Sequence, residues 1–104
     1  MSRSYSEAFL LELHRANPNR IGTKLAHACV KANLPAKYVA NAMGVTRMTI
    51  YSWFRGKPLR FKNELLAERL IECIEEDTAK EHLPAKNNFG AKAYLDLFMR
   101  RLAM

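Results

Sequence analysis

The segment from Gly44 to Lys57, GVTRMTIYSWFRGK, contains side chains that can bind and read a nucleic acid. It carries three positive charges and no negative charge, and its apolar residues recur at the spacing of one helical face. The opposite face would carry Arg47, Met48, Tyr51 and Ser52. We therefore expect this segment to form a short helix that lies in a groove of nucleic acid.

The charge of the whole chain also favours a polyanionic partner. The chain has 104 residues, a formal net charge of +7 and a pI of about 9.7. Between Glu12 and Glu64 there is no acidic residue but there are ten lysines and arginines, and seven acidic residues then lie between Glu64 and Glu81. Solvated surfaces usually interleave the two signs, so a segment of one sign is better explained by a partner that supplies the other.

The hydrophobic spacing predicts helices nearly throughout the chain and no strand. The predicted helices run from Ser4 or Ser6 to Ala16, Arg20 to Ala32, Pro35 to Met43, Thr46 to Arg55, Asn63 to Asp77, and Ala91 to Leu102. Residues 83–90, LPAKNNFG, are predicted to form a loop. We expect one all-α domain, a compact bundle of about five to six short helices. It would consist of an N-terminal helical extension (1–19), a core (20–77) and a C-terminal helical extension (83–104).

Two of the predicted helices, between Ala36 and Arg55, have the pattern of a helix-turn-helix. Gly44 marks the tight turn between them, since glycine tolerates the left-handed conformation. Five apolar residues would let the two helices pack at a steep angle: Val39, Met43, Val45, Ile50 and Trp53. In this arrangement the second helix enters the major groove of DNA.

The sequence from about Ile21 to Leu70 resembles the lambda-repressor-like, Cro-type helix-turn-helix family, also called the XRE family. The resemblance begins with IGTKLAHACVKANLP, which looks like the family's first helix, and continues through AKYVANAMGVTRMTIYSWFRGK. A small residue, Gly, Val-Thr-Arg, Thr-Ile, Trp and the closing Gly-Lys stand where the family pattern has them. The family often carries a Glu just after the Trp position, whereas this chain has Phe54. The resemblance implies a lambda-repressor-like fold that binds double-stranded DNA.

The resemblance also assigns roles to individual side chains. The base-reading positions map onto Arg47, Met48 and Ser52, with Tyr51 beside them. Arg47 would donate paired hydrogen bonds to a guanine, and Met48 would contact a thymine methyl group. The residues expected to contact the phosphate backbone are Thr46 and Thr49 at the helix start, and Lys37, Arg55, Lys57 and Arg60 at its flanks.

Each of these residues has a simpler interpretation. Arg47 would then be a solvated charge, Met48 would contact a neighbouring protein, and Tyr51 would stack on its own helix. Ile50 and Trp53 are core residues on either interpretation. The acidic row of the fifth helix, opposite Leu65, Leu66, Leu70 and Ile74, is interpreted as a solvated face: Glu64, Glu68 and Glu72. Its functional alternatives are repulsion of DNA, which would orient the protein, and imitation of DNA towards a basic partner.

Enzymatic activity is not expected. The three histidines, His14, His27 and His82, are widely separated, and none has a metal-binding or nucleophile-activating spacing to a carboxylate or a cysteine. The four glycines are isolated, so there is no glycine-rich phosphate loop. We predict no cofactor, no metal and no small-molecule ligand.

The expected location is the cytoplasm. Glu7 and Glu12 interrupt the apolar residues of the opening segment, where a secretory signal would need an unbroken run. No stretch approaches the length of a membrane span. Cys29 and Cys73 lie among apolar residues of predicted helices. They are interpreted as buried free thiols of a reducing compartment, in preference to a disulfide.

Together these features predict a sequence-specific, repressor-like regulator of transcription, of the size of small phage or plasmid repressors. A homodimer is favoured, with the C-terminal or the N-terminal helix as its interface. One alternative is a DNA-binding protein without sequence preference that acts in packaging or recruitment. The other is a protein-interaction module, of viral origin, that binds a polymerase or another regulator.

Overall fold

The computed structural model describes residues 5–102, and over this range the chain forms six α-helices and no strand. The helices are α1 (Glu7–Arg15), α2 (Ile21–Lys31), α3 (Ala36–Met43), α4 (Arg47–Phe54), α5 (Phe61–Ala79) and α6 (Asn88–Leu102). The predicted all-α bundle is therefore confirmed. Ser6 caps α1, because its Oγ accepts a hydrogen bond from the Phe9 N–H at 3.1 Å; Ser4, the other predicted cap, lies outside the described residues.

Helix α2 is the central element, since it packs against α1, α4 and α5. Its Leu25, Ala26 and Cys29 have no exposed surface, and burying a leucine side chain of this kind stabilises the fold by about 1.5–3 kcal/mol. His27 is exposed on the other side of the same helix. His27 and Cys29 therefore lie on different sides of α2.

An aromatic cluster joins α1 to α4. The rings of Tyr5 and Phe9 stack at 5.3 Å between centroids, and both lie within 6.4 Å of the ring of Phe54. Phe54 is fully buried, and the Tyr5 hydroxyl donates a hydrogen bond to the Leu34 carbonyl oxygen. A Glu at position 54 would place a carboxylate in this apolar cluster at a cost in desolvation, so the packing here favours Phe at this position.

The connection between α3 and α4 has the predicted tight form. Gly44 ends α3 in the left-handed conformation, with φ at 71°, and the Val45 N–H donates to the Ala40 carbonyl oxygen. Thr46 is the N-cap of α4, as predicted, because its Oγ1 accepts a hydrogen bond from the Thr49 N–H at 3.2 Å. Three residues therefore connect two helices that pack directly on each other.

Two predictions on the later helices are wrong in detail. The predicted loop 83–90 ends earlier, because the Asn87 side chain accepts a hydrogen bond from the Gly90 N–H at 2.8 Å and α6 begins at Asn88. Leu65 was expected to face the core of the protein but is 50% exposed. The buried face of α5 is formed by Ala67, Leu70 and Ile74 at spacings of three and four, and Leu65 lies to one side of it.

Helix α6 packs back on the domain through Ala91, Leu95 and Phe98, chiefly against α3. The Tyr94 hydroxyl donates a hydrogen bond to Asp77 of α5 at 2.7 Å, which connects α6 to a second helix.

Both cysteines are free thiols, with Cys29 buried and Cys73 half-buried. Within residues 5–102, every helix lacks the length and apolarity that a membrane crossing requires.

Candidate nucleic-acid interface

Helix α4 is held firmly on its inner side. Ile50 and Phe54 are fully buried and Trp53 is 6% exposed. Gly22 of α2 lies so close to the backbone of Trp53 that no side chain fits between the two helices. The outer side of the first turn is open to solvent, because Arg47 is exposed and Met48 is 82% exposed. This places two of the four predicted base-reading residues on a rigid helix with their side chains available to a partner.

The other two predicted base-reading residues, Tyr51 and Ser52, are half-buried. The Tyr51 ring forms T-shaped contacts with the ring of Phe9, at 5.3 Å between centroids, and with the ring of Phe54, at 6.0 Å. Tyr51 therefore contributes to the packing of α4 on α1, beyond the stacking on its own helix that the sequence suggested.

The start of α4 presents hydroxyl and amide groups together. Thr46 Oγ1 and Thr49 Oγ1 are hydrogen-bonded to each other at 3.0 Å. Thr46 is exposed and Thr49 is half-buried. The first N–H groups of any α-helix have no acceptor within that helix, and the helix dipole gives them a partial positive charge. An anion such as a phosphate is the natural ligand for this end of α4.

The predicted backbone-contacting cations differ in their freedom. Lys37, Lys57 and Arg60 are exposed. The Nε–H of Arg55 instead donates to the carboxylate of Glu12 at 3.1 Å, with both side chains more than half exposed. An exposed ion pair of this kind contributes only about 0.2–1 kcal/mol. The Arg55 guanidinium can therefore exchange Glu12 for a phosphate at low cost.

Sequence reasoning missed one cation near α4. Lys92 of α6 lines a shallow depression of about 480 Å³ together with Lys37 and Tyr38 of α3 and Arg47 of α4. In the sequence Lys92 lies 45 positions after Arg47 and outside the segment that resembles the helix-turn-helix family. Only the packing of α6 on α3 brings it here, and no local pattern in the sequence carries that information.

Comparison of the chain with protein-family models, curated proteins and solved structures gives no match. We therefore judge this surface by its own geometry and charge. Its features are a firmly held helix, an exposed Arg–Met pair on the first turn of that helix, and cations contributed by several elements.

A second group of polar residues lies where α5 ends against α6. Asp77, which accepts the Tyr94 hydroxyl, lies 3.7 Å from His82 Nδ1, and both line a cavity of about 200 Å³ with Cys73. The spacing of these residues in the sequence did not reveal the His–Asp contact. Burial raises the pKa of the Cys73 thiol, whereas a nucleophilic cysteine needs a lowered pKa. This arrangement fits a structural role better than a catalytic one.

A groove of about 690 Å³ lies between α2 and α5. Its lining includes apolar Ala28, Ile71 and Ile74 together with Lys24 and Lys31. Over the described range, 5–102, no group of three or more His, Cys, Asp or Glu side chains has the geometry to hold a metal ion. We take the surface around α4 as the candidate functional site because it combines a firmly held helix with exposed cations.

Proposed function

We propose that this protein binds double-stranded DNA sequence-specifically and regulates transcription, with α4 inserted in the major groove. The observation that carries the proposal is the first turn of α4. It presents exposed Arg47 and Met48 from a helix whose inner face is locked into the core by Ile50, Trp53 and Phe54. A base-reading helix needs this combination, because hydrogen bonds to base edges discriminate only when the side chains are held in register.

The chemistry of the exposed residues suits a DNA site that contains both G·C and A·T base pairs. Arg47 would donate paired hydrogen bonds to guanine O6 and N7, and Met48 would contact a thymine methyl group. Lys37, Lys57 and Arg60 would neutralise backbone phosphates and fix the position of α4 along the duplex. The site would then contain a guanine next to A·T steps.

A homodimer in the cytoplasm is part of the proposal. Repressor-like proteins reach useful specificity by reading two half-sites about one helical turn apart. The main apolar faces of α1 and α6 pack against the rest of the protein. Leu11 of α1 and Leu97 and Met99 of α6 are nevertheless exposed and could contact a second copy.

A protein-interaction role is the second candidate, and one observation favours it. Phe61 and Leu65 lie one turn apart on α5 and are 73% and 50% exposed. Glu68 and Glu72 continue the same face of the helix. A partner with an apolar centre and a basic rim, such as a polymerase subunit or another regulator, would fit this face.

The deciding experiment is a selection with the purified protein on a random-sequence duplex library at about 150 mM salt. Sequencing of the retained duplexes should show an enriched motif with two-fold symmetry. Retention without an enriched motif would replace sequence-specific regulation by a packaging or recruiting role. A protein that retains no duplex would overturn the DNA-binding proposal and leave the protein-interaction role.

A further inference from the structure

The depression beside α4 brings together cations from two helices that are distant in sequence. Lys37 lies in the first turn of α3 and Lys92 in the first half of α6, and both line the depression next to Arg47. Tyr38 and Asn41 also line it, and none of its lining side chains among residues 5–102 is a carboxylate. Like charges that line one depression repel one another, and a bound anion would relieve that repulsion.

The geometry points to a phosphate-binding site in which Lys37 and Lys92 hold one DNA backbone phosphate beside Arg47. This inference rests on the proposed function and extends it, because it makes the C-terminal helix part of the DNA-binding surface. Arg47 reaches the base edge, while the two lysines hold the backbone of the same nucleotide region and so position Arg47 in the groove.

Lys92 could bind a phosphate with little loss of folding stability. Its side chain is 58% exposed, and its Nζ lies 3.4 Å from Asp96, one turn further along α6. An exposed ion pair within one helix, such as this one, contributes little to stability. A phosphate can displace Asp96 from Lys92, and Asp96 then opposes DNA binding through its own negative charge.

The inference predicts how binding depends on salt. Each phosphate contact adds about 0.9 to the slope of log affinity against log salt concentration. Because Lys37 would still neutralise part of the charge of the shared phosphate, Lys92→Ala alone should reduce the slope by less than about 0.9. Lys92→Ala combined with Lys37→Ala should reduce it by about 0.9, so that the fall in affinity between 50 and 200 mM salt becomes about 3–4-fold smaller. Lys92→Arg should retain the slope, and Asp96→Asn should tighten binding.

The experiment measures fluorescence anisotropy of a labelled duplex of about 25 base pairs, more than two helical turns, across that salt range. The matched control is Lys80→Ala, which removes the same charge at the C-terminal end of α5, where the Lys80 N–H donates to the Glu76 carbonyl oxygen. Circular dichroism and thermal melting verify that each variant is folded.

A loss of slope in Lys92→Ala but not in Lys80→Ala supports the site. Equal slopes for these two variants, with Arg47→Ala still weakened, would overturn the role of Lys92 and leave the proposed function intact. If the unmodified protein does not bind the duplex at any salt concentration, the proposed function fails, and the inference fails with it.

Discussion

Gly22 of α2 and Trp53 of α4 are in direct backbone contact. A Cβ atom added at Gly22 would lie 2.1 Å from the carbonyl oxygen of Trp53 and 2.6 Å from its carbonyl carbon. Neither backbone atom can move aside as the end of a flexible side chain could. The packing of α4 against α2 therefore depends on the absence of a side chain at position 22.

Gly22→Ala should destabilise the fold by about 3 kcal/mol, the upper part of the range for overpacking, because backbone opposes backbone. Urea denaturation at neutral pH measures the loss. The control is Gly90→Ala in α6, where an added Cβ meets only the Asn87 side chain at 3.5 Å. That substitution should stabilise the protein by about 0.5–1 kcal/mol, since alanine favours the helix. Similar effects at the two positions would contradict the close approach of α2 and α4.

The sequence predicted the parts of the candidate site that depend on local patterns. Gly44, the Thr46 cap and the buried Ile50 and Trp53 follow from turn chemistry, capping and helical spacing, and the structure has each of them in the expected place. Leu65 shows what helical spacing cannot predict. It belongs to the apolar pattern of α5, but the pattern does not show how far around the helix the buried face extends, and Leu65 is half exposed.

The parts that the sequence did not predict depend on contacts between distant segments. Phe54 is buried because the aromatic residues of α1 pack on it. Lys92 reaches the candidate site because α6 packs on α3. Neither contact leaves a periodic or motif-like trace, since each joins residues more than forty positions apart along the chain. The sequence therefore predicted where the N- and C-terminal helices lie along the chain, but not which parts of the core they pack against.

The ion pair between Glu12 and Arg55 should compete with DNA binding. Glu12→Gln removes the carboxylate that accepts the Arg55 Nε–H at 3.1 Å. Because the pair is exposed, the free energy of unfolding should fall by less than about 1 kcal/mol. DNA affinity should rise several-fold at low salt, since Arg55 is released and one negative charge is lost. The gain should shrink as salt screens the interaction.

The matched control for Glu12 is Glu7→Gln, which removes the same charge from the first turn of the same helix. If both substitutions raise affinity equally, the effect is one of net charge and Arg55 has no special part in it. If Glu12→Gln alone lowers affinity, Glu12 orients Arg55 towards DNA, which is the opposite of the competition expected here.

Alkaline pH should destabilise the fold through Cys29. Burial raises the pKa of this thiol above its ordinary value of about 9, so the thiol stays neutral in the folded protein. The unfolded thiol ionises near pH 9, so this contribution to stability is complete below that pH and is lost as the pH rises further. The loss amounts to about 1.4 kcal/mol for each pH unit above it. Tyr5, whose pKa is also raised by burial, adds a loss of the same sign above about pH 10.

Urea denaturation of the unmodified protein and of Cys29→Ala at several pH values between about 7.5 and 10 isolates this effect. The alanine variant should be less stable at neutral pH, because it leaves a small cavity. The difference between the two proteins should narrow above pH 9, since only one of them carries the buried thiol. A constant difference over the whole range would show that Cys29 ionises in the folded protein as easily as in the unfolded one.

Arg47 should determine base preference, whereas Arg60 should contribute only affinity. Arg47→Ala should cost about 1–3 kcal/mol of binding free energy on the selected site and relax the preference at one base position. Arg60→Ala should weaken binding on all sequences alike and lower the salt slope by about 1. Repeating the library selection with each variant separates the two effects. A loss of base reading would appear as the loss of base preference at one position of the selected motif, whereas a loss of backbone contact would leave the motif unchanged. A uniform weakening by Arg47→Ala on every duplex would mean that Arg47 touches only phosphate, and base reading would then have to come from Met48 and Ser52.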